Sequence, residues 1–412
     1  MKPDFAADWQ VPTFAWFGPG RAEEIGPQAA ALGSAPAVLI DARVADADAG
    51  RALLARLSAH RVPPVSVTRV AGVPALDDVR AATAAATGAG ADLVIGIGGG
   101  STMDTAKLAA LAAVNPEWLD AERWREGPLI DLYGDRGAAL RPGLPTLVLP
   151  TTIATGSELN SVAALVFEGR RRLMVSGRLA PTSAVVDPDL SATLPPRSLL
   201  EGGVETLARI VCPYLASAAL EVTDALAETL AAQCIAALDR LARDGADAAS
   251  RAELAWIVSV SATQLVGLGR GRHDHVLWYL QDPLCTNFGL TKGRAMAALL
   301  PAYLAEIGQG TGIGPRLGDA ERLRRLGRAL EPVLGGQDLA GALSERLASW
   351  GLPVGLADLG LGGAEVEKLA SSCSDGWGRT GRLTGVGRAE LEAFFDRARQ
   401  GPAGDQGLAR RC

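Results

Sequence analysis

Histidine is nearly missing from this sequence: His60, His273 and His275 are the only three in 412 residues. A transition-metal centre built on imidazole, the side chain most used for that purpose, has little to draw on. Cysteine is sparse too. Cys212, Cys234, Cys285, Cys373 and Cys412 are odd in number, scattered and without a CxxC pair. That excludes a disulfide framework and a thiolate zinc site, and it is the pattern of reduced thiols in the cytoplasm. Surplus positive charge is also lacking. A net charge of -6 and a pI of 5.3 leave no basic face for nucleic acid, and no RNA-reading or zinc-finger spacing occurs. No charge-free apolar run reaches about 18 residues, so no membrane span is expected. The N-terminus, "MKPDFAADWQVPTFAWFG", has none of the three parts of a signal peptide. The expectation is a cytoplasmic protein with neither nucleic acid nor membrane as partner.

What is present is a globular composition, 48% hydrophobic and 21% charged. The length exceeds the roughly 250 to 300 residues at which single cores stop growing, so two domains are expected. From about residue 20 to 190, short apolar runs alternate with helical stretches. "APAVLIDA" (35–42), "ADLVIGIGGG" (91–100) and "LPTLVLPTT" (144–152) read as buried strands, and "AGRALLARLSAH" and "LDDVRAATAAAT" as helices between them. Strand, helix, strand in that order predicts a parallel sheet with right-handed crossovers. After the Pro-rich "VVDPDLSATLPPRS" (185–198), helical periodicity takes over, as in "EVTDALAETLAAQCIAALDRLA" and "AERLRRLGRALEPVL". The expected organisation is an α/β domain over 1–190 and an all-α domain over 191–412.

Two loops suit a polar ligand. "GIGGGSTMDTAK" (96–107) follows a strand and opens a helix, with Ser101 or Thr102 expected as N-cap and Asp104 in the first turn. Glycines let backbone approach an anion, and helix N-terminal amides then point at it. The spacing is neither GxGxxG nor a P-loop, and a packing turn reads the same way. "PTTIATGSELN" (150–160) ends a neighbouring strand with hydroxyls. Two such loops at strand ends favour a ligand crevice. Asp41, closing "AVLID", suits either a ribose hydroxyl or a helix cap.

Together the segments "FGPGRAEEIG", "GGGSTMDTAK", "PTTIATGSE", "AVVDPDLSATLPP" and "KGRAMAALLP" resemble the iron-containing (group III) alcohol dehydrogenase family, related in fold to glycerol dehydrogenase and dehydroquinate synthase. They run in family order over most of the chain, and the middle three are specific. The resemblance implies a dehydroquinate synthase-like fold: an N-terminal dinucleotide-binding domain, a helical C-terminal domain and an active site in a cleft between them. It assigns Gly98, Gly99, Gly100 and Ser101 to the pyrophosphate, with Asp104 beside them. Asp41 falls to the adenosine ribose, and Thr151, Thr152 and Thr155 to the nucleotide site. NAD is the expected cofactor, with NADP as the alternative, and relatives of this kind suggest a homodimer.

The family's metal ligands are where the sequence departs. Matching "GGVETLARIVCPY", "DPL" and "ALLP" places Glu205, Arg209, Trp278 and Lys292 at the four ligand positions. Arg cannot lose its proton, Trp has no free lone pair and a protonated Lys repels cations, leaving only Glu205 able to bind one. The remaining histidines do not compensate: His60 lies in the first domain, and His273 and His275 are two apart, on different faces of a helix. No metal is expected. A divalent ion with one Asp, and Glu205 with Arg209 and Lys292, both carry one net positive charge, so side chains can keep the field that the ion supplies. Lys292 and Arg209 are then candidates to hold a substrate oxygen. The bland alternative is an i,i+4 surface pair.

Asp282 stands where the family has a histidine near the nicotinamide and is a candidate proton acceptor. Arg270, Arg272, His273 and His275 crowd "GRGRHDH", either a solvated turn or cations for an anionic substrate, with His275 counted among the catalytic candidates. The expected activity is metal-independent, NAD(P)-dependent hydride transfer between nicotinamide and a secondary alcohol or ketone bearing an anionic group. A small molecule or peptide is the partner. A β-hydroxy acid, such as a peptide C-terminal Thr in a specialised biosynthetic pathway, is one such substrate, because its β-keto product loses CO2 readily. The alternatives are a non-catalytic nucleotide-binding scaffold, a lyase that uses NAD transiently, and a conventional alcohol dehydrogenase with an unrecognised metal site.

Overall fold

The computed structural model describes residues 9–133, 137, 139–270, 275–336, 338–376 and 381–401. They form two compact units, one of Gln10–Leu194 with Arg251–Thr263, the other of Trp9, Pro195–Ser250 and the described residues from Gln264 on. Residues 251–263 thus pack with the α/β unit although they follow it by more than 50 residues in the chain.

The α/β unit holds strands β1 (Phe14–Phe17), β2 (Pro36–Asp41), β3 (Ser66–Val70), β4 (Leu93–Gly98), β5 (Leu129–Asp131), β6 (Thr146–Pro150), β7 (Val162–Phe167), β8 (Arg170–Val175) and β9 (Ser183–Val186). Its helices are α1 (Ile25–Leu32), α2 (Ala42–Asp46), α3 (Asp48–Ala59), α4 (Leu76–Gly88), α5 (Gly100–Ala112) and α6 (Ala121–Arg125). A six-stranded sheet runs in the order β1-β9-β6-β4-β2-β3 with every pairing parallel. Period-two alternation sends its side chains to two cores. Val38, Ile40, Ile95 and Ile97 pack with Ile25, Ala29, Leu53 and Leu57. Leu39 and Val94 pack on the other side with Ala82, Ala106 and Ala109. Both faces are covered, which is why β2, β4 and β6 read as continuous apolar runs. A second sheet, β5-β8-β7, lies over Trp118 and Trp124.

The helical unit contains α7 (Pro196–Ala216), α8 (Glu221–Arg243), α10 (Val276–Phe288), α11 (Lys292–Gln309), α12 (Gly314–Leu317), α13 (Ala320–Leu334), α14 (Leu339–Ser349), α15 (Gly363–Gly376) and α16 (Arg388–Gln400); α9 (Ala248–Ala262) begins in it and passes at Arg251 into the α/β unit. From Leu199 on, α7 is buried on every face, as expected of a central helix. Around it α13 is one-sided: Leu323, Leu326, Leu330 and Leu334 are buried at helical spacing. Its arginines turn to an acidic cluster on α8, where Asp224, 1% exposed, takes Arg322 at 2.7 Å. Among the described residues no helix is long and apolar enough to cross a membrane.

Candidate active site

The connection from β2 goes outward to β3, and the chain then returns across β2 to lay down β4 and β6 on its other side. The order reverses between β2 and β4, and in open parallel sheets ligands bind beyond the carboxyl ends of such a pair. The residues there come from three strand ends. Asp41 closes β2, Gly98 closes β4 and Thr151 follows β6, its amide donating to the Gly98 carbonyl at 3.0 Å.

Gly98 and Gly100 leave no room for a side chain, and Gly99 leaves little. A Cβ on Gly98 would lie 2.5 Å from Thr102 Oγ1 and 3.0 Å from Asp41 Cβ. On Gly99 it would meet Thr152 Oγ1 at 3.1 Å, and on Gly100 Thr155 Cγ2 at 2.6 Å. Gly98, Gly99, Gly100, Asp41, Thr152 and Thr155 are therefore packed into one patch of bare backbone and hydroxyls. Helix α5 starts at Gly100 with Gly99 as its N-cap, in extended conformation and with no side-chain cap. This corrects the expectation of a Ser101 or Thr102 cap: both lie inside the first turn, so its amides are left to a ligand. The donor set and the tight backbone fit a dinucleotide pyrophosphate.

Asp104, assigned to the same patch, is bonded to residues beyond it. One turn along α5, its Oδ1 accepts from Ser157 Oγ at 2.6 Å and its Oδ2 from the Ala164 amide at 3.0 Å. Beside it Lys107, only 2% exposed, donates to Ser157 Oγ (2.9 Å), Asn160 Oδ1 (3.0 Å), Asn160 O (3.1 Å) and Val162 O (3.0 Å). Burial drives the Lys107 ammonium down to about 8, against the pull of Asp104 and Glu158. Glu158 in turn accepts from Ser259 Oγ of α9 at 3.2 Å. Gly156 has φ +64°, and a Cβ there would strike Ala262 at 2.3 Å. The "PTTIATGSELN" loop is thereby clamped at both ends. Lys107, Ser157 and Asn160 were not singled out from the sequence, although Lys107 sits three residues after Asp104 and so on the same helix face.

Asp41 combines its two readings. It caps α2, accepting from the Arg43 amide at 2.9 Å, and its carboxylate also takes Arg43 Nε and Nη2, each at 3.2 Å. Burial raises its proton affinity, and the Arg43 side chain and amide outweigh that, holding it below the usual carboxylate range.

In the helical unit Glu205 and Arg209 are one turn apart on buried α7, with Arg209 Nη2 3.6 Å from Glu205 Oε1. Lys292 opens α11 and brings Nζ to 4.0 Å from the same oxygen. Its placement follows from Gly293, whose Cβ would lie 1.9 Å from the Glu201 carbonyl, so α11 can abut α7 only with glycine there. Thr291, the α11 cap, donates to Glu201 Oε2 at 2.5 Å. Glu205 and Arg209 are nearly buried, while the Lys292 side chain keeps 24% exposure. An exposed i,i+4 pair is excluded by that burial. Two cations and one carboxylate do not fit a divalent ion, since Arg and protonated Lys have no lone pair to give. Trp278, half-buried on α10, adds none.

The remaining candidates lie on α10. His275 is its N-cap, with its ring edge-on to Trp278 at 5.2 Å. Asp282 is 5% exposed, and after burial its charge is the cause that lifts the Cys373 thiol to about 12. Arg270 is not a substrate cation: it is buried and donates to Asp224 Oδ1 at 2.7 Å and to the Val266 and Ser217 carbonyls. Arg272 and His273 lie outside the described residues.

Residues 12–188 match the iron-containing alcohol dehydrogenase family, and residues 199–391 the C-terminal part of the Fe-containing alcohol dehydrogenase family. The 4-hydroxybutyrate dehydrogenase of Cupriavidus necator is 30% identical over 292 residues, 69% of this chain and 71% of that protein. Long-chain-alcohol dehydrogenase 1 of Geobacillus thermodenitrificans is 31% identical over 248 residues, 59% of this chain and 58% of its own length. The crystal structure of NADH-dependent butanol dehydrogenase A from Thermotoga maritima has the same fold, with a TM-score of 0.81 at 21% identity, covering 96% of this chain and 99% of that one.

Proposed function

This chain belongs to the iron-containing alcohol dehydrogenase family, and on that premise we propose that it is an NAD-dependent oxidoreductase of alcohols and their carbonyl partners that works without a divalent metal. The observation that carries the reading is Glu205 held between Arg209 and Lys292, at the positions the family resemblance gives to metal ligands. NAD is supported by the glycine patch at the β2/β4 reversal and by the NADH-dependent relative in fold.

Bound nicotinamide supplies the hydride acceptor. Lys292 and Arg209 donate charge-assisted hydrogen bonds to the substrate oxygen, and these strengthen as its negative charge grows on loss of the alcohol proton, ahead of hydride transfer. Glu205 keeps the two cations together and sets their spacing. Lys292, the most exposed of the three, is the group that meets the substrate. Asp282 is assigned the alcohol proton. An anionic group on the substrate is supported by the two cations and by the relative named for 4-hydroxybutyrate.

The test begins with metal content and with NADH formation from 3-hydroxy acids, 4-hydroxybutyrate and a peptide ending in Thr, each with and without chelator. Turnover that survives chelation on protein with no stoichiometric metal is the expected result. A tightly held zinc or iron whose removal abolishes turnover overturns metal independence, and turnover restricted to uncharged alcohols overturns the anionic substrate.

A further inference from the structure

At the reversal between β2 and β4 the ribose carboxylate carries an unusual escort. Asp41 is bonded by three N–H groups of a single residue, Arg43, whose guanidinium is 88% exposed. An acid in this place normally accepts from the ribose hydroxyls and repels a 2′-phosphate. Here its charge is already met by a cation on the solvent side. Arg69 stands next to it: β3 pairs with β2 so that Arg69 lies opposite Ile40, and its guanidinium donates to the Ala42 carbonyl at 3.2 Å and pairs with Asp46. The corner thus holds two arginines and two aspartates in balance. Ion pairs this exposed contribute little to the fold, so turning Arg43 outward costs little. A 2′-phosphate brings three acceptor oxygens to a guanidinium that matches them with a fork of donors.

We propose that Arg43 is a specificity-determining residue that admits a 2′-phosphate beside Asp41, so that the chain takes NADP(H) as well as NAD(H). This rests on the dinucleotide reading above. Arg43 bridges carboxylate and phosphate in the NADP(H) complex and stays on Asp41 in the NAD(H) complex, with Arg69 as the second cation at the same corner.

Fluorescence titration of the purified full chain with NADH and with NADPH tests it. The wild type is expected to bind NADPH within about tenfold of NADH. Arg43→Ala is expected to weaken NADPH about tenfold while NADH stays within about threefold. Asp41→Asn is expected to tighten NADPH, by removing the negative charge that Arg43 otherwise shares with the phosphate. A wild type that binds NADH but discriminates against NADPH by more than about a hundredfold overturns the inference and leaves the dehydrogenase reading standing. An Arg43→Ala change that shifts both nucleotides equally also overturns it. Failure to bind NADH at all removes the dinucleotide reading and this inference together.

Discussion

The glycine patch at the end of β4 and the charged cluster at the start of α11 are built from opposite materials. In the α/β unit the contact surface is backbone: side chains are withdrawn at Gly98, Gly99 and Gly100, and neighbouring threonines fill the space up to the main chain. In the helical unit it is side chains alone, with Glu205 and Arg209 presented by a buried helix and Lys292 by a helix start. A backbone surface tolerates little change of residue, because a Cβ at Gly98 or Gly100 would collide with a threonine and one at Gly99 would crowd another. A side-chain surface can be rebuilt with different groups while the helices beneath stay put. The same fold can therefore keep one site and replace the chemistry of the other.

The largest effect is expected where the comparison is sharpest. Gly100→Val pushes a branched side chain into Thr155 and over the first amides of α5, and should weaken NADH binding by more than about a hundredfold. Isothermal titration checks it, with circular dichroism to confirm that the fold remains; retained affinity would mean that the patch is only a packing turn. Lys292→Ala removes the exposed donor of the other site. Its expected cost is about a hundredfold in kcat, the scale of losing one donor to a developing oxyanion, with the NADH dissociation constant unchanged. Equal losses in nucleotide affinity and kcat would blur the two regions into one. Glu205→Ala leaves Arg209 without this carboxylate in a nearly buried place and should cost on the order of 3 kcal/mol in urea denaturation. A change below about 0.5 kcal/mol would mean that the Glu205 carboxylate, though nearly buried, contributes no more than an exposed ion pair does.

The same difference in materials governed what could be read in advance. Buried parallel strands were legible at β2, β4 and β6 because both faces need apolar residues. The short and half-exposed β3, β5 and β8 lack that signature, and β8 even opens with Arg170, Arg171 and Arg172. Gly98, Gly99 and Gly100 announced themselves through residue type alone. The helix start was misplaced by two or three residues because Ser101 and Thr102 are good caps in isolation, whereas the close approach of Thr152 and Thr155 leaves the cap position to Gly99. Arg270 shows the limit most clearly. In sequence it belongs to a basic turn, and only the helices around it reveal that Asp224, 46 residues away, is its partner. Arg43 and Lys107 were likewise invisible as partners, since a side-chain hydrogen bond leaves no period in the sequence whether its acceptor is 2 residues away or 50.

Lys107 permits the finest separation of the two regions, because it titrates inside one of them. Its folded value of about 8 lies below the 10.5 of an unperturbed lysine, so the unfolded chain binds the proton more tightly. Between those two values the unfolded state carries more protons than the folded one, and stability must rise with pH. Below about pH 8 both states are protonated, and the full cost of burying the charge is paid. Urea denaturation of wild type and Lys107→Met at pH 7 and pH 9 isolates the effect, since the other groups titrate alike in both. The wild type should gain on the order of 1 kcal/mol relative to the variant between the two pH values. The variant should also bind NADH more weakly, because the clamp on Ser157 and Asn160 positions the threonine loop, while the Glu205, Arg209 and Lys292 trio has no part in either change. No relative change between the two pH values would place the Lys107 ammonium in water, and the clamp with it.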